Sequence, residues 1–249
     1  MIIIKSQAEI EKIAAASRIV AEILDHLRSF VRAGLSTADI EEYADAAIRQ
    51  RNAVPAFKGY RGYPASTCIS LNDQVVHGMP SRQVTVRSGD IVSIDLGVVL
   101  DGFYGDGAIT VPVGEVDAEA LRLIRTTEEA LAAGIKAAVV GNRVSDISAA
   151  VQQHVEAGGF SVVRAFVGHG IGRSLHEDPQ VPNFGRPGQG PRLKEGMTLA
   201  IEPMVNAGTA DIKILDDGWT AVTADGRLSA HFEHTVAVTK QGPKVLTKR

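Results

Sequence analysis

Apolar residues recur at helical spacing from the start of the chain. Ile10, Ile13, Ile19, Ile23, Leu24 and Leu27 share one stripe, the pattern of a helix with one buried face. Ser6 followed by Glu9 is a capping box ahead of it, so the helix should run to about Phe30. Ser36 or Thr37 can cap a second helix ending near Arg51. A similar helix pair is expected at about 118–138 and 145–156. Elsewhere the period changes to two. In IVSIDLGV, Val92, Ile94, Leu96 and Val98 alternate with Ser93, Asp95 and Gly97, so a strand should carry an apolar face and, opposite, one acid among small residues. In TLAIEP, Leu199 and Ile201 oppose Thr198, Ala200 and Glu202 in the same way. In AHFEHTVAV, His231, Glu233 and Thr235 share a face opposite Phe232, His234 and Val236. The apolar faces should pack on the helices, leaving the acids free for other work.

These elements repeat at one constant offset. Gly34, Asp39 and Ile40 match Gly141, Asp146 and Ile147, each 107 residues on. SGDIVSIDLG matches EGMTLAIEPM at the same offset, which pairs Gly89 with Gly196 and Asp95 with Glu202. The period is far longer than that of solenoid repeats, so two pseudo-symmetric halves are expected rather than an array. The expectation is a single α+β catalytic domain over 1–249, with a first half of about 1–115 and a second of about 116–249. No glycine fingerprint joins a strand to a helix, so a nucleotide-binding βαβ reading has no support. The Gly/Pro-rich stretch 183–192 reads as a surface loop.

Composition narrows the class. Of 249 residues, 45% are hydrophobic and 22% charged, ordinary values for a globular protein with a full core. The net charge of −3 offers no attraction to nucleic acid or anionic membrane. Cys68 is the one cysteine, which excludes an internal disulfide and suits a reducing compartment. The opening MIIIKSQAEIEKI has too short an apolar run for a signal peptide. A cytoplasmic, soluble protein is the expectation.

Five metal-ligand candidates stand out, the first four in Gly- or Pro-marked motifs: Asp95, Asp106, His169, Glu202 and Glu233. Asp95 and Asp106 flank LDGFYG, whose glycines allow a strand–turn–strand that brings both carboxylates together; a hairpin with two exposed aspartates is the plainer alternative. Glu202 precedes a proline, where a strand simply ending is the alternative, but its match to Asp95 favours function. Glu233 enters an apolar strand, costly for a charge unless paired or metal-bound. His169 lies between glycines in VGHGIG, which permits close approach. Four carboxylates and one imidazole form a hard donor set, unlike a thiolate-rich structural zinc site. They would balance two divalent cations. Without cations they would repel one another and their pKa values would rise. The set reads as a two-metal hydrolytic centre. His77 and His176 read as hydrogen-bond donors to a substrate carbonyl or oxyanion, with ordinary loop histidines as the alternative. Tyr60, Tyr63, Cys68 and Trp219 would suit a pocket for a thioether, or plain core packing.

The blocks GYRGYPASTCISLNDQVVHGMP, GDIVSIDLGVVLDGFYGD, GHGIGRSLHEDPQVPNFG, LKEGMTLAIEPM and SAHFEHTVAVT resemble the type I methionine aminopeptidases of the short bacterial form. The resemblance runs from about residue 57 to 239. It implies the pita-bread fold, with an inner antiparallel sheet and outer helices. It implies that Asp95 holds one metal, that Asp106 and Glu233 bridge two, and that His169 and Glu202 complete the second. Glu202 would be the general base and a water between the ions the nucleophile. His77 and His176 match substrate-contacting histidines; Tyr60, Tyr63, Cys68 and Trp219 match the methionine pocket. Implied also are Co, Mn, Fe or Zn as metal, the initiator methionine of nascent chains as substrate, a small second residue, transient ribosome contact and a monomer. Leu175 departs from the family, where many relatives carry an aromatic, and should alter the pocket's shape. The rivals are a prolidase-like hydrolase, which usually has a further amino-terminal domain, and a binding protein that keeps the fold without the chemistry.

Overall fold

The computed structural model describes residues 1–248. Four long helices form where the period of 3.6 is clearest: α1 (Gln7–Phe30), α2 (Thr37–Gln50), α3 (Ala118–Ala137) and α4 (Val144–Ala157). Ser6 and Glu9 cap α1 reciprocally, and Ser36 and Asp39 do the same for α2. Ser36, not Thr37, is therefore the cap. Helix α4 starts one residue before the expected Ser145. The Asp146 carboxylate accepts the Arg143 backbone N–H at 2.6 Å, which turns the chain helical already at Val144.

Nine strands make the main sheet: β1 (Val54–Pro55), β2 (Thr67–Leu71), β3 (Ile91–Leu100), β4 (Phe103–Pro112), β5 (Val167–Gly170), β6 (Glu177–Pro182), β7 (Thr198–Ile201), β8 (Glu233–Thr239) and β9 (Gly242–Val245). Their order is β1-β3-β4-β8-β7-β5-β6, with β2 on β3 and β9 on β8. Every pairing is antiparallel. The seam between early and late strands is β4–β8, where Glu233 faces Ala108 and His234 faces Gly107. Two three-stranded sheets flank it, one containing Met204–Asn206 and Ser229–His231, the other Gln74–Val76 and Ala221–Thr223.

Val92, Ile94, Leu96 and Val98 are buried in one core with Val20, Leu24 and Leu27 of α1 and Ile40, Ala44 and Ile48 of α2. Leu131 of α3, Ile147 of α4, Leu199 and Ile201 join the same core. Each such aliphatic side chain contributes about 1.5–3 kcal/mol. Gly105 lets α1 lie flat on the sheet, since a Cβ there would come within 2.5 Å of the Ser17 nitrogen. The helices thus occupy the apolar face and leave Asp95 and its neighbours on the other.

Local hydrogen bonds recur at the offset of 107. Gly34 N–H donates to Val86 O, and Gly141 N–H to Leu193 O, at 2.9 and 3.0 Å. Ser36 bridges Thr85, and Arg143 bridges Arg192. Asp39 and Asp146 both accept from the backbone three residues earlier. Among the described residues, no helix is long and apolar enough to cross a membrane.

Candidate metal centre

The β3–β4 hairpin sets the first two acids. Asp101 and Gly102 turn it with φ of 50° and 76°, the left-handed pair of a tight hairpin. The register puts Gly97 opposite Asp106 and Asp95 opposite Ala108, so both carboxylates reach one face. Gly97 keeps the space beside them open; a Cβ there would lie 2.9 Å from the Phe57 ring and 3.2 Å from Asp106 Oδ1. On β8, Thr235 ties the seam: its hydroxyl accepts from Asp106 N–H and donates to Asp106 O. That bond fixes Glu233, two residues away, beside Asp106. On the far side of β8, His169 pairs with Ala200 across β5–β7, and Glu202 follows the end of β7.

Asp106, His169 and Glu233 offer ligand atoms within 4.8 Å of one another, and all three are buried. Glu202 Oε1 stands 3.4 Å from His169 Nε2. Asp95 lies outside the tightest trio and lines the same cavity. That cavity measures about 290 Å³ and also touches Tyr60, Tyr63, Cys68, His77, His176 and Trp219. All eleven residues singled out in the sequence therefore surround one space.

Two observations show that the donor set suits a cation. Asp95 Oδ1 and Glu233 Oε1 are buried with no hydrogen-bond partner, a large cost for carboxylates. The second concerns His169. Its Nδ1 lies 2.9 Å from Gly170 O, and a carbonyl only accepts, so Nδ1 carries the proton. Burial pushes the ring's pKa down to about 3, with His176 adding to the effect. The neutral ring then turns the lone pair of Nε2 toward the Glu202 carboxylate. Two acceptors face each other, and either a proton or a metal ion must sit between them. Electrostatics agree across the cluster. Burial raises Asp106 to about 7. Burial, then repulsion from neighbouring carboxylates, raises Asp95, Glu202 and Glu233 well above the usual range.

The rest of the cavity is an apolar wall. Tyr63, Cys68 and Leu175 are buried together with Phe57, and Tyr60 and Trp219 pack against them. Tyr63 and Trp219 meet edge to face at 5.1 Å. Leu175 completes this wall where the departure from the family pattern stood. His77 adopts φ of 60°, an uncommon conformation for a side-chain-bearing residue, and sets its ring edge-on to Phe166 at 5.2 Å. The His176 ring lies 4.2 Å from that of His169, tilted by 54°, and its Nδ1 is 2.7 Å from the Tyr60 hydroxyl. Burial, Arg61 and His77 push His176 down to about 4, so it is neutral near pH 7.

Sequence reading missed several lining residues, namely Phe57, Arg61 and Phe166. Phe57 and Phe166 belong to no motif of ionisable groups, and Arg61, although inside the GYRGYP block, was passed over between its two tyrosines. It also placed His231 and Glu233 on one continuous strand. The chain instead breaks at Phe232 and changes sheets, yet His231 Nε2 still comes within 4.0 Å of Glu202 Oε2.

A curled antiparallel sheet backed by helices, holding a carboxylate–imidazole cluster on its inner face, defines a class of metal-dependent hydrolases. Residues 11–240 match metallopeptidase family M24, and the chain belongs to that family. It is 56% identical to the methionine aminopeptidase of Clostridium perfringens over 99% of both chains. It superposes on the crystal structure of methionine aminopeptidase from Thermotoga maritima with a TM-score of 0.98, 48% identity and full coverage of both. The fold is the pita-bread fold. The prolidase of Pyrococcus furiosus shares that fold at 24% identity, with a TM-score of 0.81, and 66% of its chain is covered.

Proposed function

We propose that the protein is a methionine aminopeptidase that removes the initiator methionine from nascent polypeptides with a small second residue. The observation that carries this reading is one cavity with two unlike walls. A carboxylate–imidazole cluster lines one side, and an apolar pocket for a single side chain lines the other. Its volume of about 290 Å³ lies below the roughly 300–1,000 Å³ of drug-sized ligand sites, which suits one terminal residue.

Asp95, Asp106, His169, Glu202 and Glu233 would hold two divalent ions drawn from Co, Mn, Fe or Zn. When bound, such ions supply Lewis acidity and a water acidic enough to react near neutral pH. Glu202 is the general base that takes the proton of the attacking water. Burial, then the neighbouring Asp95 and Asp106 carboxylates, raise its pKa, which strengthens it as a proton acceptor. The Tyr60 hydroxyl donates to His176 Nδ1, which leaves the Nε2–H of His176 to donate to the developing oxyanion. His77 is its counterpart on the other side of the cavity. Tyr63, Cys68, Leu175 and Trp219 take the methionine side chain by dispersion and sulfur–aromatic contact. The enzyme is a single domain with an internal duplication near residue 115. It works as a cytoplasmic monomer in transient contact with the ribosome.

The test is peptide release by protein stripped of metal and then given Mn(II) or Co(II). Met-Ala-Ser should lose methionine, while Leu-Ala-Ser and Ala-Pro-Ala stay intact. Cleavage of Ala-Pro-Ala alone would transfer the site to a prolidase. Wild-type turnover by Glu202→Gln would remove its role as base.

A further inference from the structure

The first nine residues lie against the loop that carries His176. Met1 pairs through its amino group with Asp178. Lys5 N–H donates to Gly196 O at 2.8 Å. The Lys5 side chain then runs inward to Glu177, with Nζ at 2.5 Å from Oε2 and both side chains about 95% buried, at 4% and 5% exposure. Lys5 Nζ also donates to Ile3 O at 3.1 Å. Glu177 uses its other oxygen to close the loop, accepting from Arg173 N–H at 2.8 Å and Ser174 N–H at 3.3 Å. The loop presses on this pair: a Cβ on Gly172 would lie 2.6 Å from Lys5 Cε and 2.8 Å from Glu177 Oε1.

Such an arrangement needs a reason. A buried ion pair is rarely more stabilising than apolar side chains of similar volume. What it does supply is direction, because a carboxylate that accepts three hydrogen bonds, one from Lys5 and two from the loop's own backbone, admits few loop geometries. Neither Lys5 nor Glu177 lines the cavity. His176 is bonded directly to Glu177, and its ring is exposed enough to move. On the cavity side it meets the Tyr60 hydroxyl and the His169 ring. Those contacts orient the ring, but its Cα is placed by the backbone of the loop, and that backbone is held from behind by Glu177 and Lys5.

We propose that Lys5 and Glu177 are positioning residues for His176, so that the amino-terminal segment holds an oxyanion donor in place. This rests on the reading of His176 as a donor to the substrate carbonyl. The consequence is a specific coupling: loss of the pair should matter to turnover only while His176 is present.

The test is a double-mutant cycle on the metal-loaded full-length protein with Met-Ala-Ser, using Lys5→Met, His176→Ala and the double variant. His176→Ala should lower kcat about 10²-fold, as loss of one oxyanion donor does. Lys5→Met should lower kcat about tenfold, as small misplacements of a catalytic group do, with KM and metal content unchanged. In the His176→Ala background, Lys5→Met should lower kcat less than twofold, although it lowers Tm equally in both. Losses that multiply, or an unaltered kcat in Lys5→Met, overturn the proposal and assign the pair to stability alone. If Lys5→Met does not fold, Glu177→Gln keeps the side chain's shape and runs through the same cycle. A wild type without methionine release, or a His176→Ala variant as fast as wild type, refutes the functional reading itself, and the inference falls with it.

Discussion

Glu177 and the cavity acids Asp95 and Glu233 all have buried carboxylate oxygens, and they are treated in opposite ways. Glu177 has an ammonium on one oxygen and two backbone N–H groups on the other. Asp95 and Glu233 each keep a buried oxygen with no partner, among like charges. Desolvation is costly in both places. In the first, the surrounding chain compensates it, so the charge serves architecture. In the second, the fold leaves it uncompensated, so the compensation must come from a ligand of positive charge. The difference teaches that burial of an acid is not the mark of a site; burial without a partner is.

Charge removal separates the two regions most sharply. Glu233→Gln should abolish a ligand and reduce peptide release about a thousandfold or more, the loss of several kcal/mol of metal-assisted catalysis. The same change should raise the Tm of the metal-free protein, because it removes a buried charge that nothing pairs. Glu177→Gln should do the reverse and lower Tm, since it leaves Lys5 buried and unpaired. Thermal melts in chelator, with both variants losing stability, would erase the distinction.

Acidity gives the next effect. Asp106 is near 7 in the fold and about 3.9 when unfolded. Its pKa is raised, so its contribution favours the fold below the unfolded value and is lost as pH rises through about 7. His169 and His231, both at about 3 in the fold, act oppositely but only below their unfolded value of about 6.5. Between about pH 6.5 and 7 the histidines no longer oppose it, and the metal-free protein should lose Tm as pH rises to about 7. Protein loaded with Mn(II) should not, because the ion replaces the protons. Equal slopes in both forms would mean that the cluster does not titrate as a unit.

The smallest effect belongs to the outer face of the His176 loop. Arg173 reaches Glu9 at 3.2 Å, with its side chain 65% exposed. Water already solvates such a pair. Arg173→Ala should change kcat less than twofold, in contrast to the tenfold expected behind the same loop. A larger loss would place the positioning contact on the surface.

Much of this was legible before folding. The capping box at Ser6 and the cap offered by Ser36 or Thr37 marked two helices, because a cap is a local hydrogen-bond problem solved within four residues. Alternation separated Asp95 and Glu202 from the apolar faces of their strands, because the pleat repeats every two residues. The shared offset of 107 tied the two strands to one another. These are short-range or self-matching signals, and a linear reading can detect them. The cavity wall was only half legible: Tyr60, Tyr63 and Cys68 stood in a recognisable block, whereas Phe57 and Phe166 read as ordinary apolar residues.

The sequence alone therefore determined the elements, their polarity and the chemical character of the donor set. The tertiary structure alone decided that Asp106 and Glu233, 127 positions apart in the chain, meet across the β4–β8 seam. It also decided which carboxylates find partners. Lys5 and Glu177 are separated by 172 residues, and no local period records a contact over that distance. The physical reason is that periodicity reflects the geometry of one element. Whether a buried charge is paired depends on what a different element brings to it.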